Sequence, residues 1–219
     1  MPKKISAVPA LAFACLAAAG AFAEIRPLAV PSPSDEKIGG YLGQRLDACI
    51  EHNVKTTDGQ YLTEIFKKRT EHDTWQTEFW GKWMHAAVPL YRYSSDAALK
   101  ANIDASVKTL LATQREDGYI GNYTDDAQLN GPWDVWGRKY TMLGLLHYYD
   151  LTGDKAVLAA ACRVADHLMT QVGPGKRDLY KVGAYHGMAS CSTLEPILWL
   201  HTRTGDAKYL DFAKYIAAQ

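Results

Sequence analysis

Ile38, Leu42, Leu46 and Ile50 recur every four residues, so they share one side of a helical wheel. Leu99, Ile103, Val107, Leu110 and Leu111 make a second apolar stripe, and Leu158, Cys162, Ala165, Leu168 and Val172 a third. Spacings of three and four residues keep side chains on one face of an α-helix, so each run predicts an amphipathic helix. No stretch alternates apolar and polar residues convincingly, with the period of two that a half-buried strand needs. The pattern predicts an all-α protein.

The helical patterns repeat. An apolar run ends at Thr152-Gly153-Asp154 with Leu158 four residues after the aspartate, and the same arrangement returns at Thr204-Gly205-Asp206 with Leu210. A looser copy stands earlier, at Ser94-Ser95-Asp96. Each unit reads helix, tight turn, helix: the glycine ends one helix in a left-handed conformation, and Asp96, Asp154 or Asp206 caps the next by accepting backbone N–H bonds. Helical hairpins at a period of roughly fifty residues suggest either an open solenoid or a closed toroid, the (α/α)₆ barrel. The unequal links favour the barrel. Turns within hairpins are short, whereas residues 114–137 and 172–187 are long and rich in glycine and aromatics. Long links gathered on one face of a rigid scaffold are where function usually sits. Six such hairpins need on the order of 300 residues. This chain offers about three and a half, so the expected architecture is an incomplete barrel, the N-terminal half of one, over residues 38–219. An arc of this kind leaves apolar hairpin faces open, and it is expected to need further chain to cover them.

Within the first long link, residues 114–123 read QREDGYIGNY. Gly118 suffices to stop the preceding helix, which leaves Gly121 and Asn122 surplus to that task. Aromatic faces set among amides and a carboxylate suit a sugar ring, which offers apolar C–H faces to stack on and hydroxyls to bond. The competing explanation is an ordinary turn whose tyrosines cover a hydrophobic edge. The expected arrangement has Gln114 and Asp117 fixing the turn, and Tyr119 or Tyr123 with Asn122 meeting substrate.

Composition narrows the partners. The 24 basic and 24 acidic residues balance, with no basic stripe, which argues against nucleic acid and anionic membrane. Residues 1–23 combine Lys3 and Lys4, an apolar run and the triplet Ala21-Phe22-Ala23, the layout of a secretory signal peptide cleaved after Ala23. The run is interrupted by Pro9 and too short for a membrane anchor, so the protein is expected to be secreted or periplasmic. Residues 24–37, with Pro27, Pro31 and Pro33, read as an extended lead-in. Beyond the leader remain Cys49, Cys162 and Cys191, an odd count and a poor disulfide framework. Cys49 and Cys162 fall at apolar helical positions and are expected to be buried thiols.

At TEFWGKW (77–83), QREDGYIGNY (114–123), VWGRKYTMLGLLHYYDLTGD (135–154) and YHGMASCSTLEPILWLHTRTGDAKYLDFAKYI (185–216), the chain resembles the catalytic domain of the β-L-arabinofuranosidase family, glycoside hydrolase family 127. The match runs from about residue 38 to Gln219. The resemblance implies an (α/α)₆ barrel followed by β-sandwich domains. It also implies retaining hydrolysis of an arabinofuranosidic bond by a zinc-bound cysteine assisted by glutamates. Those cysteines belong to Glu-Thr-Cys and Cys-Cys motifs that do not occur here, so the catalytic residues and the zinc are expected beyond Gln219. Where better-known members carry Gly-His-Leu-Ile-Glu, this chain has Lys139-Tyr140-Thr141-Met142-Leu143. A histidine able to touch the sugar is thus replaced by Lys139 or Tyr140. The resemblance therefore implies a glycan substrate, an oligosaccharide or polysaccharide, and leaves the sugar open. Two alternatives remain: an unsaturated-uronide hydrolase or polysaccharide lyase on the same barrel, and a non-catalytic helical repeat that binds glycan or protein.

Individual residues support two explanations each. Trp133 and Trp136 serve as sugar platforms or as core. Lys139 and Arg138 bond hydroxyls or a uronate carboxylate, or pair with Asp134. His186 contacts sugar or makes a structural hydrogen bond. Glu78 and Glu195 have the chemistry of a general acid and base, yet an acid in a helix's first turn also simply favours the dipole. If 188–201 is one helix, Cys191 and Glu195 share a face near His186, which resembles a metal set but lacks a further ligand. No metal is expected in this part of the chain. The expected substrate contacts are Gln114, Asp117, Tyr119, Asn122, Trp136, Lys139, Tyr140, His186 and Glu195.

Overall fold

The computed structural model describes residues 32–219. The leader and residues 24–31 of the lead-in lie outside the described residues. From residue 32 the lead-in makes a short 3-10 turn, Pro33–Asp35, and then runs extended at Glu36. The helices are α1 (Gly40–Cys49), α2 (Thr77–Ser94), α3 (Ala97–Leu111), α4 (Asp134–Thr152), α5 (Lys155–Gln171), α6 (Met188–Cys191), α7 (Leu194–Thr204) and α8 (Ala207–Ala217). Helix α1 runs on into a wider π-type turn, Ile50–Val54, and a 3-10 segment, Tyr61–Lys67, precedes α2. Among the described residues there is no β-strand, only isolated bridges pairing Glu71 with Tyr123 and Val172 with Arg177.

Three hairpins follow from the repeated turns. Each turn ends its first helix in a left-handed residue: Ser95 at φ 56°, Gly153 at 70° and Gly205 at 70°. The next residue caps the second helix. Asp96 accepts from the Leu99 N–H, Asp154 from Ala156 and Asp206 from Lys208. Ser95 does the work of glycine without glycine's freedom, which is why that copy looked the loosest in sequence.

The first helices of the hairpins pack side by side, α2 on α4 and α4 on α7, while α3, α5 and α8 each cover their own partner. The α2–α4 contact is the most extensive of these. Glycines make it possible. A Cβ on Gly81 would lie 2.2 Å from the Tyr140 carbonyl oxygen, and one on Gly144 would lie 2.4 Å from the Trp80 ring. Fully buried Trp80 fills the seam, and its indole N–H donates to Ser106 Oγ of α3 at 3.2 Å. Leu99, Ile103, Val107 and Leu110 close the core from α3, as their stripe predicts. On α5 the buried face is turned slightly: Val157, Ala161, Val164, Ala165 and Leu168 are inside, and Leu158 and Cys162 sit at its margin.

Helix α1 corrects the reading of its stripe. Ile50 is buried, but Ile38 is 50% and Leu42 69% exposed. Periodicity says which residues share a face; it does not supply a partner for that face. Cys49 is exposed for the same reason and Cys162 is half-buried, so neither is the buried thiol expected of it.

Two substitutions test this architecture by thermal melting. Gly81→Ala forces a methyl group against the Tyr140 backbone and should cost at least about 2 kcal/mol. Ser95→Gly relieves a left-handed serine and should gain about 1 kcal/mol, raising Tm by roughly 2–4 °C.

Candidate functional site

At the start of α4 the long links meet the first turns of α2 and the segment around α6. They enclose a cavity of about 670 Å³. Trp75, Trp133, Trp136 and Tyr185 form its aromatic wall, Glu78, Lys82 and Lys139 supply its charges, and Met188, Ala189 and Ser192 close it from the α6 side. The rings are arranged edge to face. Tyr140 and Trp136 have centroids 5.1 Å apart, Trp136 and Trp133 6.1 Å, and Trp133 and Tyr185 5.8 Å. Such contacts lock ring orientation while leaving ring faces available.

The charges sit on this aromatic chain. Glu78, in the first turn of α2, is only 8% exposed. Its Oε1 accepts from Lys82 Nζ at 2.8 Å and its Oε2 accepts from the Trp136 indole N–H. Glu78 therefore ties α2 to the cavity face of α4. Lys82 Nζ lies 5.1 Å from the Tyr140 centroid, and Lys139 Nζ lies 5.0 Å from both the Trp136 and Tyr140 centroids. The two ammonium groups differ in setting: the Lys82 side chain is 47% exposed and that of Lys139 11%. Burial, reinforced by the Lys82 charge and opposed by Glu195, pulls the Lys139 ammonium below the ordinary lysine range.

Comparison with known proteins assigns the family. The family model for the β-L-arabinofuranosidase, GH127 catalytic domain, matches residues 40–219. The chain belongs to glycoside hydrolase family 127. A curated relative, the non-reducing end β-L-arabinofuranosidase of Bifidobacterium longum subsp. longum, is 26% identical over 149 residues, covering 62% of this chain and 21% of the relative. Among solved structures, a GH127 β-arabinofuranosidase superposes with a TM-score of 0.65 at 21% identity, over 85% of this chain and 33% of that one. A GH127 β-L-arabinofuranosidase from Geobacillus stearothermophilus T6 gives 0.64 at 19% identity, over 83% of this chain and 32% of that one. The chain thus spans a third or less of the length of these relatives. The three hairpins are part of a family 127 (α/α)₆ barrel.

Within this family 127 domain the expected contacts divide. Trp136 and Lys139 line the cavity, with Tyr140 packed against both, although all three lie on α4 and not in the preceding link. Glu195 lines an adjoining hollow with Lys139, Ser192, Leu198 and Trp199, its Oε2 3.9 Å from Lys139 Nζ. His186 is exposed in a left-handed residue at φ 52° and does not line the cavity; its neighbour Tyr185 does. The sequence reading missed Trp75, Lys82 and Tyr185 as lining residues. Tyr185 carried a signal in the aromatic richness of its link, 172–187; Trp75 stands alone in residues 68–76 and carried none, nor did Lys82 beyond its place one turn from Glu78.

The stretch 114–123 lies behind the cavity and not in its wall. Tyr119, Asn122 and Tyr123 are fully buried. Gln114 Nε2 donates to the Gly118 and Ala160 carbonyls, and Asp117 Oδ1 accepts from the Tyr119 N–H at 3.0 Å, so both fix the turn as expected. The Tyr119 hydroxyl donates to Asp134 Oδ1 at 2.8 Å, and Asn122 Nδ2 donates to Thr74 Oγ1 at 3.0 Å. Asp134 in turn holds Arg138 at 2.5 Å in an ion pair with side chains 1% and 0% exposed. Arg138 continues to Gln171 at 2.6 Å and to His167 Nδ1 at 3.2 Å. Of the two fates weighed for Arg138, pairing with Asp134 is the observed one. Nor do His186, Cys191 and Glu195 gather: α6 ends at Cys191 and α7 starts at Leu194, so no single helix carries them. Among the described residues no group of three His, Cys, Asp or Glu side chains could hold a metal ion. Burial pushes the Cys191 thiol up, away from a reactive thiolate.

Deeper on α4, His147 stacks edge to face on His85 at 4.4 Å and on Trp199 at 5.2 Å, and its Nε2 is buried without a partner. Burial first, then His85, Arg92 and Arg203, pull its pKa down to about 4 against the pull of Asp150. The neutral ring is the folded form, whereas an unfolded histidine takes its proton near pH 6.5. Its stabilising effect is therefore present above pH 6.5 and is lost as pH falls to about 4. Urea midpoints should drop across that window, and His147→Gln should flatten the drop, with His167, shifted the same way, keeping a remainder.

Proposed function

We propose that this chain supplies the sugar-binding part of an exported glycoside hydrolase of the β-L-arabinofuranosidase type, which releases a terminal sugar from a glycan. The carrying observation is the aromatic cavity at the head of α4, with Glu78, Lys82 and Lys139 on its wall. Ring faces stack on the C–H faces of a sugar, and charged groups at its edge take hydroxyls. Membership of family 127 and the activity of the Bifidobacterium relative, a non-reducing end β-L-arabinofuranosidase, supply the reaction class. Glu78 has both oxygens engaged and serves to set the Trp136 ring and Lys82. No bond-breaking step is assigned to the described residues; the family resemblance supplies a zinc-bound cysteine nucleophile assisted by glutamates for that step. Export rests on the leader at residues 1–23. No described helix is long and apolar enough to cross a membrane.

The test is hydrolysis of an aryl β-L-arabinofuranoside by the full-length protein, with an unsaturated uronide as the comparison substrate. Trp136→Ala and Tyr185→Ala should each lower kcat/KM at least tenfold, about 1.4 kcal/mol of transition-state binding. Tyr185 is 71% exposed, so its variant should melt with the wild type. A full-length protein that cleaves neither substrate, or two variants with unchanged kcat/KM, would sink this reading.

A further inference from the structure

Lys139 is the one charged group at the cavity whose surroundings do not account for it. The residue is 9% exposed, yet no hydrogen bond from its ammonium to any described residue is present. Its only ion-pair neighbour among the described residues, Glu195, stands at 3.9 Å with a side chain 45% exposed to water. Lys82 differs: Glu78 accepts its hydrogen bond at 2.8 Å, and nearly half of that side chain is solvated. The stem of Lys139 is buried while its ammonium reaches the cavity with three donors free for an acceptor that enters. The Trp136 and Tyr140 faces lie 5.0 Å away, but a ring face cannot accept three N–H bonds. The group lines both the 670 Å³ cavity and the adjoining hollow of Glu195, and its aromatic neighbours Trp133, Trp136 and Tyr185 lie on the side of the larger one. A neutral hydroxyl would answer one donor; an oxyanion answers the charge as well.

We propose that the cavity selects a sugar bearing an acidic substituent, a carboxylate or a sulfate ester, and that Lys139 is its anchor. This rests on the reading of the cavity as a glycan site. The acidic group meets Lys139, and the ring lies against the Trp133, Trp136 and Tyr185 faces. Glu78 does not cancel this preference, because its charge is offset by its own ion pair with Lys82, which leaves Lys139 as the cation that the cavity wall does not pair.

Intrinsic tryptophan fluorescence of the full-length protein reports occupancy, since Trp75, Trp133 and Trp136 line the cavity. Titrations with D-galactose, D-galacturonate and D-galactose 6-sulfate compare one ring carrying a hydroxymethyl, a carboxylate or a sulfate. At least one acidic form should bind at least tenfold tighter than galactose, and whichever does names the substituent. Lys139→Met should remove the difference and Lys139→Arg should keep most of it, with both variants checked for native circular dichroism. Should Lys139→Met fail to fold, the wild-type comparison decides. Equal binding of the three sugars, or a preference that survives in folded Lys139→Met, overturns the inference. Methyl β-L-arabinofuranoside separates the two readings. If it binds while no acidic sugar is preferred, only the acidic selectivity falls; if no sugar binds at all, the glycan site falls with it.

Discussion

The close approach of α2 and α4 is the constraint on which the rest depends. Two glycines, Gly81 and Gly144, remove the side chains that would hold the helices apart, and Trp80 fills the space with a ring that reaches α3. Gly137, whose added Cβ would lie 2.1 Å from Thr77 Oγ1, extends the seam to the cavity end of α4. Only because the seam is this tight can Glu78 on α2 hydrogen-bond Trp136 on α4. The same closeness sets Lys82 and Lys139, from different helices, over the same pair of rings. Site geometry is here a direct consequence of backbone packing.

Behind the aromatic wall stands a buried polar network. Tyr119, Asp134, Arg138, His167 and Gln171 join the first long link, α4 and α5. A buried ion pair repays its desolvation only when its remaining donors and acceptors are satisfied. Here Asp134 accepts from Tyr119, the Leu129 N–H and Arg138, and Arg138 donates further to Gln128 and Gln171. The network fixes where α4 begins, and hence where Trp136 and Lys139 point. Polar side chains in the link thus serve the cavity from behind, as supports for its wall.

Much of this was legible in the chain. The three-four periodicity gave α3 and α5, and the Thr-Gly-Asp turns gave the hairpin boundaries almost to the residue, because left-handed glycine and aspartate caps are local chemistry. Family membership was legible in four motifs. Less was legible of the site. QREDGYIGNY has the composition of a sugar loop, but the same tyrosines and amides also make a satisfied buried network, and composition cannot tell which side of a wall a residue is on. Gln114 and Asp117 were read correctly as turn-formers because each has a partner within the turn itself, Gly118 for Gln114 and Tyr119 for Asp117. Tyr119 was misread as a substrate contact because its partner, Asp134, is fifteen residues away.

By itself, the sequence determined the class of the fold, the helical hairpins, their caps and the family, since each of these rests on interactions between near neighbours or on a pattern repeated along the chain. Tertiary structure alone decided which residues face the cavity. It rotated Trp136 and Lys139 onto a helix and into one aromatic corner with Lys82, buried Tyr119 and Asn122 behind it, and left Leu42 and Cys49 exposed on α1, with Ile38 exposed just before it. The physical reason is that facing is a relation between elements. It is set by how closely α2 can approach α4, and that distance depends on glycines more than fifty residues apart.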